Sequence, residues 1–306
     1  MQEHYFHCSD GLKLGAQLYR LVNATSPKKI LLLHGWLDNC RSFWKLAPQL
    51  HKQGYELLAL DLPGHGTSGH RSQDSPNLVL SDYVYYVREV LCQINWESEV
   101  TIIGHSLGAS IAIVYAAVFP EQMKNLVLLE GAGPLAKLET GVHKHIRDHI
   151  EMRIKGNLSL YSKGRGKARS YPTVEKAAET RQESARRAPG NQYLSIEASR
   201  ELVARATKND VGGNGITFQH DPRLLWPSIL YMTPSQVESL QRSVQCPTAL
   251  LLAEDGWPFD EQMLTPTRQR LQPKLFDILP GSHHFHADPN TADSVARSVI
   301  KFLAKY

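Results

Sequence analysis

The sequence predicts an α/β fold: a mostly parallel twisted sheet flanked by helices and interrupted by one helical insertion. Three observations predict it. Short apolar runs alternate with longer stretches of helical spacing up to Glu130, as strands joined by crossover helices do. The alternation breaks after Gly131-Ala132-Gly133-Pro134 and resumes at Ala249-Leu250-Leu251-Leu252. Between Thr101 and Phe119 an apolar run meets Gly104-His105-Ser106-Leu107-Gly108 and passes into a small-residue, helix-compatible stretch, which reads as strand, tight turn and helix. The expected division is a core of residues 1–134 and 227–306, with a helical cap over 135–226.

In order, Tyr5–Cys8 and Leu14–Leu21 flank the turn signal Ser9-Asp10-Gly11 and read as a hairpin. Residues 23–29 form a polar loop. Ile30–Leu33 runs without alternation, as a strand covered on both faces does, and stops at His34-Gly35-Trp36-Leu37-Asp38. Phe43–His51 has helical spacing, Leu57–Leu60 is a buried strand, and Asp61–Ser68 is a glycine-punctuated loop. Leu78–Ile94 places Val84, Val87, Leu91 and Ile94 on one helical face. Val100–Ile103 leads to Ser106, and Leu126–Leu129 is a strand ending at Glu130. The insertion shows helical patterns at 139–154, 173–187 and 195–207 with no strand between them, a basic Gly/Ser-rich linker at 155–172 that reads as mobile, and a glycine-rich stretch at 211–222 that reads as a short hairpin or an irregular turn. Thr233–Val244 opens with the helix-start pair Thr233-Pro234. Ala249–Leu252 and Lys274–Leu279 are strands, and Thr291–Lys305 closes the chain as a helix.

Composition narrows the classes. The chain has 306 residues, 42% hydrophobic and 21% charged, enough to bury a full core. A formal charge of +4 is too mild to imply nucleic acid. The basic excess is local: residues 139–226 hold 16 Lys and Arg against 10 Asp and Glu. Most simply this is a solvated face; if Lys144, Arg147, Arg153, Arg181 or Arg223 turned inward, the substrate would carry a carboxylate or phosphate. Cys8, Cys40, Cys92 and Cys246 show no metal-ligand spacing and suit a reducing compartment. No run reaches membrane-spanning length, and Met1–His7 lacks the basic and apolar regions of a leader. The expectation is a cytoplasmic protein without stable membrane insertion; nothing here fixes its oligomeric state.

Ligands bind at the carboxyl ends of strands in an open parallel sheet. There stand His34-Gly35-Trp36, Asp61–Ser68, Ser106, Glu130, Glu254-Asp255-Gly256 and Gly281-Ser282-His283-His284-Phe285-His286. A serine on the tight turn has a strained backbone and an exposed hydroxyl, its flanking glycines admit close approach, and the helix N-terminus directs free N–H groups at whatever it attacks. Acyl transfer needs a nucleophile, a base, an orienting carboxylate and oxyanion donors, and this edge supplies a candidate for each.

In order and spacing, His34–Asn39, Asp61–Ser68, Gly104–Gly108 and the late Gly-Ser-His-His resemble the α/β-hydrolase superfamily. The match covers both sheet portions. The His-Gly-Trp-Leu-Asp-Asn loop, Tyr171–Ala177 and Asp221-Pro222-Arg223-Leu224 resemble its serine hydrolase-like branch. The resemblance implies an α/β-hydrolase fold, Ser106 as nucleophile, His283 as base with His284 the alternative, and the N–H groups of Trp36 and Leu107 as the oxyanion hole. It implies no metal or organic cofactor. Trp36 and His105 are expected to contact the substrate. The acid departs from the usual pattern, because Ala253-Glu254-Asp255-Gly256 puts glycine where aspartate is expected. Glu130 takes the alternative slot used by some superfamily members, and a carboxylate after an apolar run needs a partner such as the base; Asp255 is the alternative acid. The expected activity is hydrolysis of a carboxylic ester, thioester or lactone, the partner being a small-molecule acyl substrate. Alternatives are a catalytically slow small-molecule binder and cofactor-free carbon–carbon or oxygen chemistry. Dehalogenase and epoxide hydrolase chemistry are disfavoured, since both use an aspartate nucleophile.

Overall fold

In the computed structural model, residues 1–306 are described except 23–24, 73–74, 76, 163–168 and 211–212. Eight strands form the main sheet: β1 (Gln2–His7), β2 (Lys13–Tyr19), β3 (Lys28–Leu33), β4 (Tyr55–Leu60), β5 (Val100–His105), β6 (Met123–Leu129), β10 (Thr248–Asp255) and β11 (Leu275–Ser282). Their spatial order is β1-β2-β4-β3-β5-β6-β10-β11. β1–β2 and β2–β4 pair antiparallel, and every later pair is parallel.

Strand periodicity builds both faces. Ile30, Leu32, Ile103, Val127, Leu129 and Leu251 pack with α1 (Leu46–Lys52) and α9 (Ala292–Lys305). Their neighbours Leu31, Leu33, Ile102, Leu126, Leu128 and Leu250 face α2 (Leu80–Gln93) and α3 (Leu107–Val118) instead. Successive side chains point to opposite faces, so an unbroken apolar run is what a doubly covered strand requires.

Between β6 and α7 (Pro234–Ser243) lie α4 (Val142–Ser162), β7 (Ser170–Tyr171), α5 (Val174–Arg186), α6 (Ile196–Ala206), β8 (Thr207–Asn209) and β9 (Ile216–Phe218). Here the expectation of no strand between the helical patterns is corrected by β7, while the antiparallel β8–β9 pair agrees with the hairpin reading of the glycine-rich stretch. β7, β9 and β8 form a small antiparallel sheet whose two- and three-residue strands are too short to show a period. The helix expected to end at residue 154 runs to Ser162. Of the linker expected to be mobile, residues 163–168 lie outside the described residues, as do 211–212 of the glycine-rich turn and 23–24 of the early loop. α8 (Glu261–Leu271) was not anticipated; Asp260 caps it by accepting from the Met263 N–H at 2.8 Å, and Pro266 sits inside it. Thr233 and Gln236 close a reciprocal capping box at the start of α7. The α5–α6 half of the segment joins the core: Leu194, Ala198 and Leu202 cluster with Ala287 and Trp44.

Candidate active site

Parallel pairing brings the ends of β3, β5, β6, β10 and β11 to one edge. Ser106 occupies the turn between β5 and α3 at φ 53° and ψ −112°, a region a side chain enters only when its surroundings enforce it. Enforcement is visible on every side. A Cβ on Gly104 would lie 2.3 Å from the Gly108 carbonyl oxygen, and one on Gly108 would lie 2.0 Å from that of Leu33. The Ser106 N–H donates to the Leu129 carbonyl at 3.0 Å, and its own carbonyl accepts from Ala109 and Ser110 in the first turn of α3. Ser106 and Leu107 remain partly exposed.

Glu130 follows β6 at φ 49°, with its side chain turned under the end of β10. It is 1% exposed, and a buried carboxylate needs donors. Oε1 accepts from the Ala253 N–H at 2.7 Å and Oε2 from the Trp257 N–H at 2.7 Å. His283 Nδ1 lies 2.9 Å from Oε2. Facing a carboxylate, Nδ1 carries the proton, which leaves Nε2 as the lone-pair nitrogen. Gly256 explains the departure in the β10 turn: a Cβ there would lie 2.3 and 2.5 Å from the two Glu130 oxygens. The carboxylate comes in from β6 and fills the space that any side chain at 256 would need. Asp255, the alternative acid, is exposed at the end of β10, and Glu130 rather than Asp255 meets the His283 ring.

His284, the alternative base, points the other way. Its Nε2 is 3.0 Å from Asp38 Oδ2, while Arg181 of α5 donates to Asp38 Oδ1 at 2.6 Å. Burial alone would raise the Asp38 pKa, but the His284 ring and the Arg181 guanidinium outweigh it and hold the carboxyl well below the usual range. Burial lowers His284 despite Asp38. His105, expected at the substrate, is instead fully buried. Its Nε2 donates to the His283 carbonyl at 2.9 Å, and burial, with His286 and His283 close by, holds its pKa well below the ordinary value. A side chain with no exposed surface does not reach a bound molecule; His105 tethers the loop that carries His283. His286 is likewise buried, its ring centroid 4.2 Å from that of His105.

Trp36 is 51% exposed, and its indole N–H donates to the Leu224 carbonyl at 2.9 Å, which ties the loop after β3 to the inserted segment. The loop is bent by Leu37 at φ 59°. His34 accepts from the Leu62 N–H through Nε2 and so donates Nδ1–H to the Gly35 carbonyl. Asp61 accepts from the N–H groups of Cys40 and Thr67 and from Arg205 Nε, fixing its loop.

The basic residues divide. Arg181 and Arg223 turn inward, each onto a carboxylate of this chain, Asp38 and Asp221. Lys144, Arg147 and Arg153 are exposed. Among the described residues, Asp38, His105 and His284 bring ligand atoms within 4.8 Å of one another, close enough to hold a metal ion. Arg181 already neutralises Asp38, and a cation there would face its guanidinium. The sequence reading missed Gln192, whose Oε1 accepts from the His283 N–H at 2.9 Å, and the Arg181–Asp38 pair. Neither leaves a local signal, since the partners stand 91 and 143 residues apart.

The family model described as the alpha/beta hydrolase fold matches residues 28–289. A serine hydrolase-like protein of Danio rerio is 32% identical over 282 residues, covering 90% of this chain and 81% of the relative. One from Dictyostelium discoideum is 27% identical over 315 residues, covering 99% and 81%. Among solved structures, a hypothetical protein of Pseudomonas aeruginosa PAO1 is similar at TM-score 0.84 and 32% identity, covering 99% of this chain and 100% of that one. The thioesterase domain from the curacin biosynthetic pathway shares the fold at TM-score 0.79 and 21% identity, covering 98% and 99%. With its sheet, its strained serine turn and these matches, the chain belongs to the α/β-hydrolase family, in the serine hydrolase-like branch.

Proposed function

We propose that the protein is a serine hydrolase that cleaves a carboxylic ester, thioester or lactone through an acyl-enzyme on Ser106. The observation that carries this reading is the 2.9 Å contact between His283 Nδ1 and a Glu130 carboxylate that two main-chain N–H groups already hold. With Nδ1 so engaged, Nε2 takes the proton as Ser106 Oγ attacks the acyl carbonyl. The N–H groups of Leu107 and Trp36 stabilise the tetrahedral oxyanion. On collapse, the imidazolium returns the proton to the departing alkoxide or thiolate. Water, deprotonated by His283, then attacks the acyl-enzyme and releases the acid and free Ser106. Glu130 keeps the imidazole in the working tautomer and stabilises the imidazolium without itself becoming protonated.

In the same reading, residues 135–226 are a helical cap over this edge, and Trp36, partly exposed beside Leu224, contacts the substrate. Neutralisation of Arg181 and Arg223 by Asp38 and Asp221 favours an uncharged acyl group over an anionic one. Four free cysteines favour a reducing compartment, and the cytoplasm is the location we propose. No helix among the described residues is long and apolar enough to cross a membrane.

The test is turnover of a panel of short- and long-chain acyl esters, thioesters and lactones by the wild type and Ser106→Ala. Turnover abolished in the variant is expected. Undiminished turnover in Ser106→Ala would remove the proposal, and tight ligand retention without turnover would replace it with a binding function.

A further inference from the structure

We propose that Gln192, on the loop joining α5 to α6, is a positioning residue for the base His283; this rests on the roles of Ser106, His283 and Glu130 given above. His283 is held at three polar points by three different parts of the chain. Glu130 takes Nδ1, and His105, the residue before the nucleophile, takes the main-chain carbonyl. The main-chain N–H goes to Gln192 Oε1 at 2.9 Å, and this third tether comes from the inserted segment.

Gln192 is 6% exposed, and its amide is used at both ends, because Nε2 donates to the Pro189 carbonyl at 3.1 Å. That second bond orients the amide, so the oxygen rather than the nitrogen faces His283. The same loop touches the base-bearing loop again where Ser282 Oγ donates to the Tyr193 carbonyl at 2.5 Å. It also lies against the turn that donates to Glu130: a Cβ on Gly190, at φ +88°, would come within 2.9 Å of the Gly256 carbonyl oxygen. Leu194 anchors it by packing with Ala287, just beyond the histidines. The segment after α5 is thus wedged between the loop that holds the acid and the loop that carries the base. Where Nε2 sits relative to Ser106 follows from where the His283 main chain is pinned, and small displacements of a base are costly in rate.

The experiment is the rate of labelling by a fluorophosphonate probe from pH 5 to 9, which reads serine activation without choosing a substrate. Gln192→Ala removes the acceptor. Gln192→Glu keeps an acceptor oxygen for the His283 N–H, gives up the bond to the Pro189 carbonyl, and adds a negative charge at the His283 main chain. Gln182→Ala removes a 2.8 Å bond to the Leu194 carbonyl in the same segment without touching the base loop. Labelling of Gln192→Ala is expected to be about ten-fold slower, with faster hydrogen exchange at the His283 amide. Gln192→Glu recovers to within a few-fold of wild type at high pH, and the midpoint of its pH profile moves upward. Gln182→Ala labels as wild type does. The inference is overturned if folded Gln192→Ala labels at the wild-type rate, or if Gln182→Ala slows labelling equally. Should Gln192→Ala fail to fold, an unshifted midpoint in Gln192→Glu overturns it. Undiminished labelling in both Ser106→Ala and His283→Ala would instead refute the underlying roles; loss in both with a silent Gln192→Ala refutes only the tether.

Discussion

Gly256→Ala isolates the placement of the Glu130 carboxylate from its chemistry. Gly256 is not among the positive-φ glycines, so alanine fits its backbone, but the added methyl would stand 2.3 Å from one Glu130 oxygen and 2.5 Å from the other. Ordinary contact begins near 3.4 Å, so the carboxylate must retreat by about 1 Å. Its bonds to the Ala253 and Trp257 N–H groups, both 2.7 Å, and to His283 at 2.9 Å cannot survive that displacement together. Hydrogen bonds to a charged group contribute about 1.5–3 kcal/mol each, so losing one or two costs about 3 kcal/mol of stability. An imidazole without its orienting carboxylate loses tautomer and position, which predicts a hundred- to thousand-fold fall in fluorophosphonate labelling. Asp255→Asn, changed at an exposed carboxylate one residue away, stays within about two-fold of wild type. The assay is second-order labelling at pH 8 and 20 °C, paired with a thermal melt that establishes folding. A folded Gly256→Ala protein that labels at the wild-type rate would refute the reasoning, and so would an Asp255→Asn protein that fails to label.

Three other outcomes are expected. His34, His65, His105, His284 and His286 all have pKa values lowered by burial, His65 to about 3, so the folded chain keeps them neutral where the unfolded chain binds protons. Their contribution is complete above the unfolded value near 6.5 and is lost as pH falls below it, by up to about 1.4 kcal/mol per pH unit for each histidine. A denaturant midpoint that falls steeply from pH 6.5 to 5 checks this, and a flat profile there contradicts it. Arg181→Ala leaves Asp38 buried without its guanidinium and lowers stability by about 3 kcal/mol. Urea titration of the variant checks this, and a wild-type midpoint contradicts it. Ser106→Gly relieves a side chain held at φ 53° and raises stability by about 1 kcal/mol while abolishing labelling; an unchanged or lower melting temperature speaks against stored strain at the turn.

What was legible in the sequence follows a physical division. Gly104, Ser106 and Gly108 announce the turn because only glycine tolerates carbonyl oxygens at 2.0 to 2.3 Å from a Cβ position, and such constraints are written locally. The Glu130–His283 contact was legible because a carboxylate straight after Leu126–Leu129 cannot be buried alone, and because glycine at 256 left its place open. His105 was misread as a substrate contact: its neighbour is the exposed serine, but adjacent residues at a strand end point to opposite sides, and it went inward. Gln192 was invisible, and Arg181 was named as able to turn inward but not its partner Asp38, because polar residues on a charged segment look alike whether they face water or a buried partner. β7 escaped notice with two residues, too few for any period. α8 was hidden by Pro266 and a polar surface that gives little amphipathic signal.

The most direct measurement is peptide mapping by mass spectrometry of the wild-type protein after brief fluorophosphonate treatment. A single adduct on Ser106, absent from Ser106→Ala and strongly reduced in Glu130→Gln and His283→Ala, is the predicted result. A folded wild type that carries no adduct at Ser106, or one labelled there just as fast without Glu130 and His283, would contradict the claim that these three residues form a working acyl-transfer site.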